Sequence, residues 1–291
     1  MKHVAFLSMG DLGDFFVYDD LLIPHFTSAG WQVTSVPWRE KTNWNDYDAV
    51  IVRSPWDYQQ SPAAFLSCLR DIEASRAYLD NPLALMEWNL QKTYLKDMAA
   101  QGVITLPTRW DTGYNLASVS ACFCDYDTDE LIVKPTLSAN ADDTFRLTAE
   151  DANTREDELC QLYADRGIMI QPFVKEVLLE GEYSLFYFNG KYSHAILKTP
   201  KQGDFRVQEE HGGALQSVTP DASMQKACEH ALASMPTDSL YARVDLIRYQ
   251  SQWAVMELEL IEPSLYFNLD DASQPRFVNA FLTRYAAYQD Q

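Results

Sequence analysis

Apolar and polar positions along the chain fall into two rhythms, one for each half. In the first half, apolar runs alternate with helical stripes. Val4 to Leu7 is continuous, and residues 3–9 predict a buried strand. Tyr18 to Ala29 predicts a helix stopped by Gly30 at the C′ position. Trp31 to Val36 and Ala49 to Val52 predict further strands. Pro62 to Ala77 predicts a helix with Ser61 as its cap and Pro62 in its first turn. Strands alternating with helices make a parallel α/β layer. Such sheets bind ligands beyond the C-terminal ends of their strands, where the loops Ser8–Asp14 and Arg53–Tyr58 lie. Asn81-Pro82 interrupts the pattern and marks a lobe boundary.

The second half opens with a long helical stripe, Leu83 to Ala100, closed by Gly102. Residues 111–130 are polar and acidic and read as surface. Leu131 to Pro135 reads as a strand, 138–144 as a polar loop, 150–165 as an acidic helix and Ile168 to Val174 as a strand. The rhythm then changes to period two. Glu182 to Phe188 and Lys191 to Lys198 flank Asn189-Gly190, the strongest short hairpin signal. A polar loop, 199–216, and a helix, Ala222 to Met235, separate this hairpin from a second one, Leu240–Arg248 with Trp253–Ile261. Pro275 to Tyr288 closes the chain as a helix.

Chemistry concentrates in the second hairpin. Period two puts Arg243 and Asp245 on one face and Ala242, Val244 and Leu246 on the other. On the partner strand Glu257 and Glu259 share a face, with Ala254, Met256, Leu258 and Leu260 opposite. Paired, the strands bring three carboxylates and a guanidinium to one side of a sheet. Carboxylates a few ångströms apart repel by about 4 kcal/mol per pair at an effective dielectric near 20. A divalent cation removes that cost, and Mg²⁺ suits one or two carboxylates plus phosphates. The plainer reading is a solvated acidic face. Lys134, at the end of an apolar strand, is a compact cation suited to phosphate, or a surface lysine. Lys92 falls on the apolar stripe of its helix. Arg206 with Gly212-Gly213 suggests an anion-binding loop, or simply a flexible one. Ile170-Gln171-Pro172-Phe173-Val174, with Glu176, Glu180 and Glu182 following, fits an adenine-pairing strand with a ribose carboxylate, or a buried strand and an acidic turn.

Charge narrows the partners. Lys plus Arg number 23 against 42 Asp plus Glu, a net charge of −19, which repels nucleic acid and anionic lipid. No run approaches the roughly 20 apolar residues of a membrane helix, and the N-terminal run is too short for a signal-peptide core. Cys68, Cys122, Cys124, Cys160 and Cys228 show no zinc spacing with histidine. They read as structural free thiols of a cytoplasmic protein.

In this order, Lys92, Val133-Lys134-Pro135, Gln171-Pro172-Phe173-Val174, Arg206 with Gly212-Gly213, Arg243-Val244-Asp245 and Glu257-Leu258-Glu259 resemble the ATP-grasp superfamily. The likeness covers roughly residues 86–265 and points to the branch of glutathione synthetase, the peptide-tailing glutamate ligases and D-alanine–D-alanine ligase. It implies an α/β protein with α+β lobes: a Rossmann-like substrate lobe over 1–85, a central ATP-grasp subdomain over 86–172, and a C-terminal subdomain with the metal site over 173–291. It implies ATP and Mg²⁺ as cofactors and small-molecule carboxylate and amine substrates, such as an amino acid or small peptide. Lys92 and Lys134 would hold phosphates. Gln171, Phe173 and Val174 would read adenine, and Glu182 the ribose. Lys198 and Arg206 would sit by the γ-phosphate, and Arg243 would stabilise an oxyanion. Asp245, Glu257 and Glu259 would bind the metal, with Glu262 a competitor. Ser54 to Tyr58 is the candidate substrate loop. The segment from Glu257 to Pro263 is one residue longer than the family's usual pattern, and the loop after Lys134 lacks the usual glycines. The expected chemistry is ligation through an acylphosphate, between two molecules or as a ring closure within one, and a homo-oligomer is compatible with it. A phosphotransferase and an inactive nucleotide-binding module are the alternatives on the same fold. A Rossmann dehydrogenase is disfavoured, because Met9-Gly10-Asp11-Leu12-Gly13-Asp14 lacks G-x-G-x-x-G spacing and carries two acids.

Overall fold

The computed structural model describes residues 1–13 and 15–290, so Asp14 of the first loop lies outside the described residues. Three sheets form in chain order. The first contains β1 (Lys2–Ser8), β2 (Trp31–Pro37), β3 (Ala49–Ser54) and β4 (Tyr78–Asp80), all parallel in the order β2-β1-β3-β4. Both faces are covered, so β1 reads as a continuous apolar run. Val4 and Phe6 pack toward the last helix, Ser273–Gln289, while Ala5 and Leu7 pack toward the helix Pro62–Glu73.

The second sheet has β5 (Arg109–Thr112), β6 (Glu130–Pro135), β7 (Phe145–Thr148) and β8 (Gly167–Pro172), antiparallel in the order β5-β8-β6-β7. The third has β9 (Glu182–Phe188), β10 (Lys191–Thr199), β11 (Ala214–Ser217), β12 (Tyr241–Tyr249) and β13 (Gln252–Glu259), ordered β11-β10-β9-β12-β13. Phe186, Phe188 and Tyr241 pack with Phe277 of the last helix, so that helix joins the first and third sheets. Among the described residues, no helix is long and apolar enough to cross a membrane.

Several expectations change. The stripe Leu83–Ala100 is two helices, Leu83–Asn89 and Tyr94–Ala100, and Lys92 sits in the break. Its backbone N–H donates to the Thr136 carbonyl at 2.7 Å rather than continuing a helix. The polar stretch 111–130 contains a helix, Leu116–Asp125, capped by Asn115 accepting from the Ser118 N–H. Its inner face needs only Val119 and Cys122 buried, too little for a clear stripe. The loop 199–216 includes most of β11.

Candidate active site

Between the second and third sheets lies one cavity. Twelve of the side chains proposed from the sequence line it: Lys92, Lys134, Gln171, Phe173, Val174, Glu182, Lys198, Arg206, Arg243, Asp245, Glu257 and Glu259. The strand ladder explains the gathering. β12 pairs antiparallel with β13, setting Arg243 opposite Glu259 and Asp245 opposite Glu257. β9 pairs with β12 on the other side, setting Ser184 opposite Asp245, and β10 sets Lys198 opposite Glu182.

The β12–β13 pairing shifts register between Asp245 and Leu246, which corrects one face assignment. Asp245 opposes Glu257, but Leu246 opposes Val255, so Met256 is the extra residue of a bulge. Beyond it the alternation flips. Trp253 and Val255 join Leu258 and Leu260 in the core, while Ala254 and Met256 turn with Ile247 toward the cavity side. There they meet Leu106, Phe173, Val174 and Val207, giving an apolar chamber.

Charges fill the middle. Arg243 binds Asp245 at 2.9 Å and also binds Glu259. Lys92 binds Glu257 at 2.8 Å and donates to the Ser138 carbonyl at 2.8 Å. Lys198 binds Glu182 and lies 3.5 Å from Asp245, which also accepts from the Ser184 hydroxyl at 2.5 Å. Burial works against the Asp245 charge, yet Arg243 and Lys198 outweigh it and hold the carboxyl down at about 2. Burial and the neighbouring Glu257 and Asp245 push Glu259 up to about 8 despite Arg243. Lys134 differs from the other cations: it is buried and pairs with no carboxylate among the described residues. Burial lowers its pKa, because desolvation disfavours the charged ammonium.

Oxygens of Asp245, Glu257 and Glu259 come within 4.8 Å of one another, a spacing a single cation can span. Glu262 is not part of that group. Ser184 was missed in the sequence, though it sits two residues after Glu182 and so on the same strand face. Met256 was missed as a cavity residue because a bulge is invisible in a period-two pattern, whereas Ile247 continues the face of Arg243 and Asp245 and could have been found from that spacing. Gly212 and Gly213 do not offer N–H groups to an anion. Their N–H groups donate to Glu209 and Gln208 carbonyls, at 2.8 and 3.1 Å. A Cβ on Gly213 would lie 2.1 Å from the Val207 oxygen, so the glycine allows tight closure of the loop. Arg206, partly exposed, is paired to Asp204 at 2.8 Å.

At the opposite end, Phe15, Trp56 and Tyr58 reach in from the first sheet, beside Glu262, Ser264 and Tyr266. Past β13 the backbone has left the ladder, and side chains satisfy its carbonyls in succession. Asn81 donates to Leu260 at 2.8 Å, Tyr241 to Ile261 at 2.8 Å and Trp56 to Glu262 at 2.9 Å. Arg53 donates to Pro263 at 3.2 Å, Arg243 to Ser264 at 3.4 Å and His194 Nε2 to Leu265 at 3.0 Å. A buried carbonyl left unpaired costs about 1–3 kcal/mol, so each donor fixes its own step of an irregular strap.

Two family models match the chain. One is described as the D-cycloserine synthetase DcsG N-terminal domain, over residues 4–81, and the other as the prokaryotic glutathione synthetase ATP-grasp domain, over residues 116–257. The cycloserine biosynthesis protein DcsG of Streptomyces lavendulae is 32% identical over 265 residues, covering 85% of this chain and 87% of that protein. The crystal structure of D-cycloserine synthetase DcsG matches with a TM-score of 0.88 at 28% identity, over 97% of this chain and 99% of that one. D-alanine–D-alanine ligase from Bacillus anthracis matches with a TM-score of 0.70 at 14% identity, over 100% and 99%, a likeness of fold.

Proposed function

Since this chain belongs to the ATP-grasp ligase family, with D-cycloserine synthetase DcsG among its relatives, and is an enzyme of the C–N bond-forming kind, we propose that it activates a carboxylate with ATP and passes the acyl group to nitrogen. The substrate is an amino acid or a small peptide-like molecule. The carboxylate oxygen attacks the γ-phosphorus, and the bond to the β-phosphate oxygen breaks, giving an acylphosphate and ADP. The nitrogen nucleophile then adds to the acyl carbon. It loses a proton, and phosphate leaves with the C–O bonding pair.

The observation that carries this reading is Lys134, a buried ammonium without a carboxylate partner among the described residues, beside a carboxylate triad and an apolar chamber in one cavity. Lys92 and Lys134 suit the phosphates as fixed point charges. The chamber around Phe173 and Val174 suits adenine, with Gln171 at its edge and Glu182 toward the ribose. Asp245, Glu257 and Glu259 would hold Mg²⁺, which supplies charge neutralisation between phosphate oxygens. Lys198 and Arg206 would meet the transferred phosphoryl group. Arg243 would donate to the oxyanion formed as nitrogen adds. The lobes 1–85, 86–172 and 173–291 divide this work between substrate, nucleotide and metal. The first of them contributes Phe15, Trp56 and Tyr58.

A ring closure within one molecule is the second reading. The match of residues 4–81 to the D-cycloserine synthetase N-terminal domain favours it, because that segment carries the substrate end of the cavity.

A thermal melt with Mg²⁺ and ADP, alone and together, tests the nucleotide site. At about 100 times the dissociation constant, binding should add about 2.7 kcal/mol, a rise of several degrees needing both components. No rise at millimolar Mg·ADP would remove the ligase reading. Phosphate release with a panel of amino acids, followed by product mass, then separates the two routes. A product one water lighter than a single substrate means ring closure. One equal to two substrates less water means joining.

A further inference from the structure

The strap places one more carboxylate in the cavity. Glu262 lies past the end of β13, outside the group formed by Asp245, Glu257 and Glu259. Its neighbours come from the loop after β3. Tyr58 lines the same end of the cavity, and the Trp56 indole N–H holds the Glu262 carbonyl at 2.9 Å. Phe15 packs on Trp56 with ring centroids 5.1 Å apart. The carbonyls on either side, Ile261 and Pro263, are held by Tyr241 and Arg53, which are themselves buried. These bonds fix the backbone at Glu262 and so the point from which its side chain enters the cavity. Glu210, the other acid facing the cavity from outside the triad and Glu182, is exposed on the 200–213 loop and has no such support.

A carboxylate on a fixed backbone, with an indole and a phenol lining the same end of the cavity, suits a protonated amine. The ammonium donates charge-assisted hydrogen bonds to the oxygens, and the ring faces add cation–π attraction. We propose that Glu262 is a specificity-determining residue that binds a protonated amino group of the substrate beside Trp56 and Tyr58. This rests on the ligase reading, since it assigns the substrate end of that same cavity. Glu262 thereby has a role separate from the metal carboxylates.

The test is calorimetric, at saturating Mg·ADP, on the full chain. D-Cycloserine, D-alanine and L-alanine are each titrated beside their N-acetyl forms. The native protein should bind at least one free amine about tenfold or more tighter than its acetylated form. Glu262→Gln should lose that preference and keep its Mg·ADP affinity, while Glu262→Asp, which keeps the charge, should retain part of it. A preference that survives in Glu262→Gln overturns the proposal. So does a native protein that binds Mg·ADP and prefers no amine in the panel. Failure to bind Mg·ADP at all would instead strike the ligase reading, and this proposal with it.

Discussion

The two ends of the cavity hold their side chains by different means. At the nucleotide end, Asp245, Glu257, Glu259, Lys134 and Lys198 ride on strands, and each position is fixed by the backbone ladder beneath it. At the substrate end, Glu262, Ser264 and Tyr266 ride on backbone without a ladder, held by Trp56, Arg53, Arg243 and His194. A ladder tolerates side-chain replacement, because its bonds belong to the main chain. The strap does not, because its bonds are the side chains. Side chains at the first end can thus be replaced without breaking the main-chain ladder, whereas replacing a donor at the second end frees the backbone that carries Glu262.

That contrast sets the order of expected effects. Asp245→Asn should cost about a thousandfold or more in turnover, the scale of losing a principal charge at the reacting phosphate, and should lower the melt by several degrees while the chain still folds, because Arg243 and Lys198 lose a buried carboxylate. Phosphate-release assays and melts on one preparation decide it, and full activity would remove the metal site. Arg53→Met strips the strap of a donor and leaves Asp19, its partner at 2.9 Å, buried without a counter-charge. The expected loss is about 3 kcal/mol, seen as a drop of several degrees in the melt. An unchanged melt would mean the strap is held without it.

The third effect is a pH dependence. His194 stacks on Phe186 at 4.2 Å, and burial lowers its pKa to about 4 from an ordinary 6.5. Folded, it stays neutral while the unfolded chain's histidine takes a proton. Its contribution is therefore present above about pH 6.5 and is lost as the pH falls toward 4, up to about 3 kcal/mol in all. Melts between pH 4.5 and 7.5 should show a shallower acid decline in His194→Gln than in the native protein, and parallel curves would refute the assignment. The smallest effect is Trp56→Phe. It deletes one indole N–H, about 1 kcal/mol, and should weaken amine binding about fivefold without touching Mg·ADP affinity.

What could be read from the sequence follows the same division. Ladder-borne residues were legible because period two assigns a face without knowledge of the fold: Arg243 with Asp245, and Glu257 with Glu259. The bulge at Met256 was not, since one extra residue reverses a face with no local mark. Lys92 was put on a continuous helix because its neighbours keep helical spacing. The break comes from Thr136, which takes the Lys92 N–H from far along the chain. The strap was least legible. Its donors stand at 53, 56, 81, 194, 241 and 243, and no local pattern joins positions so far apart. The candidate loop Ser54–Tyr58 contains Trp56 and Tyr58, which line the cavity beyond a parallel strand, while Glu262, whose carbonyl Trp56 holds, stood in the sequence as a rival metal ligand.

The strap also bears on how such proteins can be recombined. Exchanging residues 1–85 between relatives would seem the natural way to graft a new substrate preference onto an old nucleotide site. Yet Arg53, Trp56 and Asn81 belong to the donated piece, and the carbonyls they satisfy belong to the recipient. A chimera cut at the lobe boundary inherits mismatched halves of one hydrogen-bonded seam. The exchangeable module is discontinuous: the first lobe together with residues 258–266.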